Sequence, residues 1–208
     1  MGVDRLMLER FRAFWNKLFS PVADGLLKIG VTPNMVTWVG TIGVSFGALF
    51  FFPQGIFFWG TLFITAFVFS DIVDGTMARK IGKPSKYGAF LDSTLDRIGD
   101  AAVFGGIALW YAWEGDSEVY LCLSLACLVL GALTSYIRAR AESLGMEAKG
   151  GIAERSDRLV SILVMTGLSG LFDLPILQHI TLWALAAASL VTVGQRMAMV
   201  KRQADAVT

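Results

Sequence analysis

The sequence predicts an all-α membrane protein, a six-transmembrane-helix bundle preceded by an N-terminal interfacial amphipathic helix. Of the 208 residues, 55% are hydrophobic, and the mean hydropathy is +0.60; a soluble domain is about 45–50% apolar. The apolar residues fall into six stretches of about the 20 residues that a helix needs to cross a bilayer. The charged residues are concentrated between these stretches, so the sequence predicts lipid as the main solvent of the chain.

Residues 1–32 are predicted to form a cytoplasmic interfacial segment, separate from a membrane domain over residues 33–208. Within this segment, residues 4–19 (DRLMLERFRAFWNKLF) place apolar and aromatic side chains on one helical face and charged side chains on the other. That pattern is typical of a helix that lies in the membrane surface. A plain soluble extension is the alternative interpretation.

Six apolar stretches define the predicted spans, and breaks that contain Gly or Pro separate most of them. The spans are residues 33–52, 56–79, 89–113, 118–141, 155–172 and 174–200. The first, second, third and fifth breaks read FPQG at 52–55, GKPS at 82–85, EGDS at 114–117 and DLP at 173–175.

The basic residues define the orientation of the spans. All 18 Lys and Arg residues lie before the first span, in or beside the second and fourth connections, or near the C-terminus. The opposite connections contain only acidic charges: Glu114, Asp116, Glu118 and Asp173. By the positive-inside rule, both termini are cytoplasmic. We therefore expect a multi-pass protein of the cell (plasma) membrane, and the net charge of only +1 gives no indication of nucleic-acid binding.

Two pairs of aspartates lie where the second span ends and the third begins. Asp71 and Asp74 are three residues apart, and Asp92 and Asp96 are four apart, so each pair shares one helical face. A short basic loop joins the two antiparallel spans, which places both pairs at a similar depth near the cytoplasmic surface. A charged side chain at membrane depth costs about 2.5–3.5 kcal/mol, and four neighbouring carboxylates also repel one another.

Such a cluster of acids is expected to be stable when a cation joins it. Carboxylates without Cys or His suit Mg²⁺, with Mn²⁺ as a substitute, and Mg²⁺ commonly keeps phosphate oxygens in its coordination shell. Ion pairing is the alternative, since Arg79 and Arg97 could neutralise two of the four acids. Because acids within a membrane usually serve a function, we favour the metal site. Gly75 and Gly88, beside the acids, would let a ligand approach the backbone closely.

At these residues the sequence resembles the CDP-alcohol phosphotransferase family. The family signature is D-x-x-D-G-x-x-A-R, then seven or eight residues, then G-x-x-x-D-x-x-x-D. The chain matches every fixed position, with eight residues between the two halves: Asp71, Asp74, Gly75, Ala78, Arg79, Gly88, Asp92 and Asp96. The six-span layout and the cytoplasmic site agree, so the resemblance covers nearly the whole chain.

The resemblance implies an enzyme that transfers the phosphatidyl group of CDP-diacylglycerol to the hydroxyl of a small alcohol and releases CMP. Two metal ions would be bound by Asp71, Asp74, Asp92 and Asp96. Asp96 would also act as the general base. The CDP-lipid would contact Pro33, Thr37, Gly75 and Arg79. The residues alone allow a second interpretation of Pro33, as the start of a helix capped by Thr32. The resemblance also implies a homodimer.

The acceptor alcohol has to be inferred from other residues. Several arginines near the predicted cytoplasmic side suggest recognition of a phosphate on the acceptor, which would then be a phosphorylated polyol. The residues assigned to this phosphate are Arg138, Arg155 and Arg196. Arg138 is preferred to Arg140 because residues two apart on a helix point about 200° away from each other. The alternative is ordinary anchoring of helix ends, which we favour for Arg140, Lys201 and Arg202.

Two branches of the family use phosphorylated acceptors. The stretches FLDSTLDRIGD and GGIAERSDR resemble the actinobacterial phosphatidylinositol-phosphate synthases, which use inositol phosphate. Phosphatidylglycerophosphate synthases, which use glycerol 3-phosphate, more often have Pro after the third aspartate and Lys after the fourth. This chain has Ser93 and Arg97 there. We therefore expect inositol phosphate and keep glycerol 3-phosphate as the alternative.

An ion- or proton-coupled transporter is a candidate from a different class, since it also places acids within spans. Transporters often show internal repeats and binding sites at the membrane midplane. This sequence shows no repeat, and its acids lie near one face. An inert scaffold of the same fold is disfavoured because all four aspartates are intact. The sequence thus predicts an enzyme.

Overall fold

The computed structural model describes residues 19–82 and 85–206, and every regular element in these ranges is helical. The elements are α1 (19–28), α2 (Pro33–Phe51), a 3₁₀ turn (Phe52–Gln54), α3 (Phe57–Val68), α4 (Ser70–Ile81), α5 (Lys86–Ala112), α6 (Glu118–Ser143), α7 (Arg155–Phe172) and α8 (Pro175–Asp205). The predicted all-α class is confirmed for the described residues. The predicted interfacial helix over residues 4–19 lies outside them except for its last residue, Phe19.

Four stretches of the described chain are long and apolar enough to cross a membrane: Pro33–Gln54, Phe57–Ile81, Glu118–Ser143 and Pro175–Asp205. They correspond to the first, second, fourth and sixth predicted spans. The third and fifth predicted spans form the helices α5 and α7. Both helices contain several Asp and Arg residues, and neither is long, apolar and free enough of charge to be counted with the four stretches.

The second predicted span is divided into two helices, although the sequence predicts one continuous helix over residues 56–79. The interruption is at Phe69, where the Ile72 N–H donates to the Phe69 carbonyl at 3.1 Å and so closes a three-residue turn. Phe69 keeps right-handed helical dihedral angles, φ −64° and ψ −16°. The break is therefore local, and α4 begins immediately before the first aspartate of the signature.

The contacts within the chain define two compact units. Of the described residues, the first unit comprises 19–45, 64–82 and 85–99, and the second comprises 46–63 and 100–206. The four signature aspartates belong to the first unit. The three arginines assigned to the acceptor phosphate belong to the second.

In the first unit, α1 packs on α4 through the buried side chains of Ala23, Val73 and Met77. Lys80 of α4 adds a polar contact, because its ammonium group lies 2.6 Å from an Asp24 carboxylate oxygen. A second contact joins α2 to the junction of α3 and α4. Any Cβ on Gly43 would overlap the Phe67 ring, so this glycine serves helix packing.

In the second unit, α8 packs against α6 and α7. Gln178 of α8 joins two further helices: the Tyr111 hydroxyl of α5 donates to its Oε1 at 2.6 Å, and its Nε2 donates to Thr166 Oγ1 of α7 at 3.0 Å. All three side chains are buried. A fully satisfied polar network in an apolar interior fixes the rotation of the helices that contribute to it.

Candidate active site

A cavity of about 360 Å³ lies within the first unit. Its lining residues come from the N-terminal ends of α2 and α5 and from one face of α4. Four of the predicted site residues line it together: Pro33, Thr37, Asp74 and Asp92. The structure thus brings two predicted metal ligands into one cavity with two predicted CDP-lipid contacts.

Two helices begin at this cavity, and side-chain hydroxyls cap both. The Met35 N–H donates to Thr32 Oγ1 at 3.3 Å at the start of α2. The Gly88 N–H donates to Ser85 Oγ at 2.8 Å at the start of α5. The predicted capping by Thr32 is confirmed, with Pro33 as the first residue of α2. A helix N-terminus has a partial positive charge and exposed N–H groups, which together favour phosphate.

Asp74 is the buried acid of the cavity, with 8% of its surface exposed. The Thr37 hydroxyl donates to Asp74 Oδ2 at 2.5 Å, and the same hydroxyl lies 3.1 Å from the Pro33 carbonyl oxygen. This contact joins α2 to α4 and fixes the direction of the carboxylate. Since an ionised carboxylate has two oxygens and about four lone-pair sites, Asp74 can accept from Thr37 and bind a cation at once.

The other three acids of the signature are placed differently. Asp92 is exposed on the wall of the cavity, whereas Asp71 and Asp96 are not among its lining residues. Asp96 Oδ2 lies 3.6 Å from Arg97 Nη2, which is one of the ion pairs considered as the alternative to a metal site. In the described part of the chain, no three acidic, His or Cys side chains come close enough together to hold a metal ion.

The donor chemistry of the cavity fits a hard divalent cation. The described lining residues offer carboxylate oxygens (Asp74, Asp92), hydroxyl oxygens (Thr32, Thr37, Ser85) and an amide oxygen (Asn34), but no thiol or imidazole. Mg²⁺ and Mn²⁺ prefer such oxygen donors, and Mg²⁺ also keeps water and phosphate in its shell. Two protein carboxylates and a diphosphate would therefore form a suitable coordination set.

Gly75 and Arg79, the other two residues predicted to contact the CDP-lipid, lie on α4 outside the cavity lining. Arg79 Nη2 donates to Thr76 Oγ1 at 3.1 Å. A Cβ on Gly75 would lie no closer than 3.7 Å to a described side chain, that of Arg79. Packing within the described chain therefore gives no reason for glycine at this position.

The arginines assigned to the acceptor phosphate have separate partners in the second unit. Arg138 Nε lies 3.0 Å from Glu142 Oε1, in an exposed pair on α6. Arg155 Nε lies 3.2 Å from Asp100 Oδ1, and this pair is mostly buried. The sequence interpretation did not single out Asp100, although it follows Asp96 at the same four-residue spacing that separates Asp92 from Asp96.

Arg196 is buried and holds the connection between α6 and α7. Its Nε donates to the Gly150 carbonyl at 2.9 Å, and its Nη1 donates to the Thr134 carbonyl at 2.6 Å. Its Nη2 has no hydrogen-bond partner among the described residues. Arg196 therefore has a scaffold role in the second unit.

Arg158 has a structural role that the sequence did not reveal. It is 3% exposed, and its guanidinium donates to the Ala153 carbonyl at 3.0 Å, Thr134 Oγ1 at 3.3 Å and the Gly131 carbonyl at 3.4 Å. The spacing of three residues predicts that it shares a face with Arg155, but Arg158 contacts α6 and Arg155 contacts α5. The small residue Gly131 opposite the guanidinium is the sequence signal for this contact.

The chain belongs to the CDP-alcohol phosphatidyltransferase family, whose sequence model matches residues 30–194, and it is therefore an enzyme of phospholipid synthesis. Its relatives include phosphatidylinositol phosphate synthases. That of Streptomyces avermitilis is 50% identical, over 99% of this chain and 88% of the relative. That of Cutibacterium acnes is 50% identical, over 96% of this chain and 100% of the relative.

Solved structures show the same similarity. The Mycobacterium tuberculosis phosphatidylinositol phosphate synthase with CDP-DAG bound matches this chain with a TM-score of 0.84 at 40% identity, covering 88% of this chain and 94% of that chain. The same enzyme in complex with manganese and citrate gives a TM-score of 0.84 at 41% identity, covering 88% of each chain. The family predicted from the signature is confirmed.

Proposed function

We propose that this chain transfers the phosphatidyl group of CDP-diacylglycerol to inositol phosphate, giving phosphatidylinositol phosphate and CMP. The main support is the cavity of the first unit, where two helix N-termini and two carboxylates meet. Helix N-termini suit a diphosphate, and the carboxylates suit the divalent cation that accompanies it. Identities of 50% to two phosphatidylinositol phosphate synthases favour inositol phosphate as the acceptor.

On the donor side, the chain binds and orients the CDP-lipid. The capped N-termini of α2 and α5, with Pro33 and Thr37, hold the diphosphate, and Gly75 and Arg79 contact the CDP moiety. The residues proposed to hold two divalent ions, Mg²⁺ or Mn²⁺, are Asp71, Asp74, Asp92 and Asp96. When bound, these ions would neutralise the diphosphate and stabilise CMP as the leaving group.

On the acceptor side, Asp96 takes the proton from the attacking hydroxyl of inositol phosphate. The hydroxyl oxygen bonds to the phosphorus that bears diacylglycerol, the bond from that phosphorus to the CMP oxygen breaks, and CMP leaves with the electron pair. Arg138, Arg155 and Arg196 bind the phosphate of the acceptor, because guanidinium groups pair with phosphate through charge-assisted hydrogen bonds.

We further propose that the chain crosses the plasma membrane six times, with both termini and the active site in the cytoplasm, and that it forms a homodimer. The basic residues support this orientation, since none lies in the connections assigned to the outside. Exposed apolar side chains such as Trp38, Val39 and Ile42 on α2 would be covered by lipid. The homodimer rests on the family resemblance.

Replacing Thr37 by Val should raise the Mg²⁺ concentration needed for half-maximal activity by about 10-fold, the lower end of the effect of removing a hydrogen bond to a metal ligand. Valine has nearly the same shape but cannot donate to Asp74, whereas serine can. Thr37→Ser should therefore stay within about twofold of the wild type. Titration of initial rates against Mg²⁺ checks this. A change only in the KM for CDP-diacylglycerol would instead assign Thr37 to lipid binding alone.

The proposed function is tested by an acceptor panel with the purified full chain, CDP-diacylglycerol and Mg²⁺. The acceptors are inositol phosphate, free inositol, glycerol 3-phosphate and serine, and the lipid product is identified by mass. We expect product only with inositol phosphate. Exclusive use of glycerol 3-phosphate would overturn the acceptor and keep the enzyme class. Turnover of free inositol at the same efficiency would contradict the role of the three arginines.

A further inference from the structure

Asp100 is the third acid of α5 and lies outside the family signature. Only 8% of its surface is exposed, and its Oδ1 lies 3.2 Å from Arg155 Nε at the start of α7. A carboxylate taken out of water is unfavourable unless it is paired and hydrogen-bonded.

The position of Arg155 shows what the pair contributes. Arg155 is the first residue of α7, where the positive end of the helix dipole disfavours a cation. Anchoring to a membrane surface would be served equally well by a basic residue in the loop before the helix. The Asp100 carboxylate offsets the unfavourable position and restrains the guanidinium against α5.

We propose that Asp100 is a positioning residue for the acceptor site: it holds Arg155 in the orientation in which the guanidinium binds the phosphate of the acceptor. This inference rests on the proposed function. An arginine side chain has several rotatable bonds, and a long charged side chain near a surface turns its head towards water. A restraint that exists before the acceptor arrives reduces the ordering that binding would otherwise require.

The other two arginines assigned to this phosphate provide a comparison. Arg196 is fixed by two backbone carbonyls in a buried setting. Arg138 is paired with Glu142, but both side chains are about half exposed, at 50% and 48%. Exposed pairs hold their partners weakly. Glu142→Ala is therefore a control that deletes an arginine–carboxylate contact of similar length at an exposed position.

The test is a double-mutant cycle of Asp100→Ala and Arg155→Ala, with KM measured separately for the acceptor and for CDP-diacylglycerol. We expect Asp100→Ala to raise the acceptor KM by about 3- to 12-fold, which is the effect of ordering one long side chain. For Asp100→Ala, the KM for CDP-diacylglycerol and kcat should stay within about twofold of the wild type. For Glu142→Ala, both KM values and kcat should stay within the same range. In the Arg155→Ala background, Asp100→Ala should have no further effect on the acceptor KM, because the two residues act through one contact.

A purely structural role for Asp100 predicts other results. Equal rises in both KM values, a fall in kcat alone, or additive effects in the double variant would overturn the proposal. If Asp100→Ala does not fold, the same cycle is run with Asp100→Asn, which keeps the volume and an acceptor oxygen but removes the charge. A rise in the acceptor KM that disappears in the Arg155→Ala background supports the proposal, and an unchanged KM overturns it.

The result of the Asp100 cycle can be separated from the result of the acceptor panel that tests the proposed function. The cycle uses whichever phosphorylated acceptor the wild-type enzyme converts, so use of glycerol 3-phosphate would overturn the inositol assignment and leave the role of Asp100 to be measured in the same way. If the wild type converted only acceptors without a phosphate, the positioning role would fall together with the phosphate site.

Discussion

Replacing Asp74 by Asn is expected to lower the rate of phosphatidyl transfer by about 10²- to 10³-fold, the usual effect of removing one group that stabilises charge in the transition state. Asn keeps the size of the side chain and an oxygen that accepts from the Thr37 hydroxyl, so the contact between α2 and α4 is preserved. Only the negative charge proposed to bind the cation is lost. Initial rates of CMP release at saturating substrates measure the effect.

Asp173→Asn is the matched control for this variant, because it makes the same chemical change in the second unit, outside the signature. Asp173 ends α7 with φ at +53°, a left-handed conformation that Asn also adopts readily. We expect its rate to stay within about twofold of the wild type, as for most surface substitutions. A rate for Asp74→Asn close to that of the wild type would contradict the proposed metal site.

Replacing Arg158 by Met should destabilise the second unit by about 2–3 kcal/mol, because it leaves buried acceptor oxygens without their donor. The oxygens concerned are Thr134 Oγ1 and the Ala153 carbonyl, whereas the Gly131 carbonyl still accepts from the Thr134 and Ser135 hydroxyls. Removing the buried charge lowers the desolvation cost, but two buried acceptor oxygens remain without a donor. For a chain of this length, the loss corresponds to a fall in Tm of about 4–12 °C, which thermal unfolding in detergent measures.

Arg140→Met is the control for this prediction, since Arg140 is an exposed residue of α6 whose Nη1 donates to Ser143 Oγ at 3.3 Å. Its Tm should change by no more than about 2 °C, because exposed substitutions usually stay within about 0.5 kcal/mol. Equal changes in Tm for the two variants would show that the buried contacts of Arg158 do not stabilise the unit.

Most helix positions could be predicted from the sequence because apolar stretches and their breaks define them. The fifth predicted span and α7 have the same bounds, 155–172. The third span was less well predicted: apolar residues indicate a start at 89, whereas α5 begins at Lys86. Hydropathy reports which residues lie in lipid, but the capping hydroxyl of Ser85 determines where the helix begins.

The site could be predicted only in part. The signature spacing identified Asp74 and Asp92, and both line the cavity with Pro33 and Thr37. The spacing did not show that Ser85 would complete the lining, because Ser85 reaches the cavity by capping α5. The same spacing could not decide between a metal site and the ion pair of Asp96 with Arg97, since helical periodicity defines a face but not the side-chain rotamers on it.

The contacts of the arginines illustrate the other limit of sequence reasoning. Arg155 meets Asp100 across 55 residues, and Arg196 meets the Thr134 carbonyl across 62 residues. The spacing of residues along one helix shows which side chains share a face. It contains no information on which distant backbone or side chain packs opposite that face, so these partners emerged only from the folded chain.

The central claim is tested most directly by incubating the purified wild-type chain with CDP-diacylglycerol and inositol phosphate, with Mg²⁺ or with EDTA, and quantifying CMP and the lipid product. The account predicts equal amounts of CMP and phosphatidylinositol phosphate in Mg²⁺ and none in EDTA. Full turnover in EDTA, or CMP release without a matching lipid product, would contradict it.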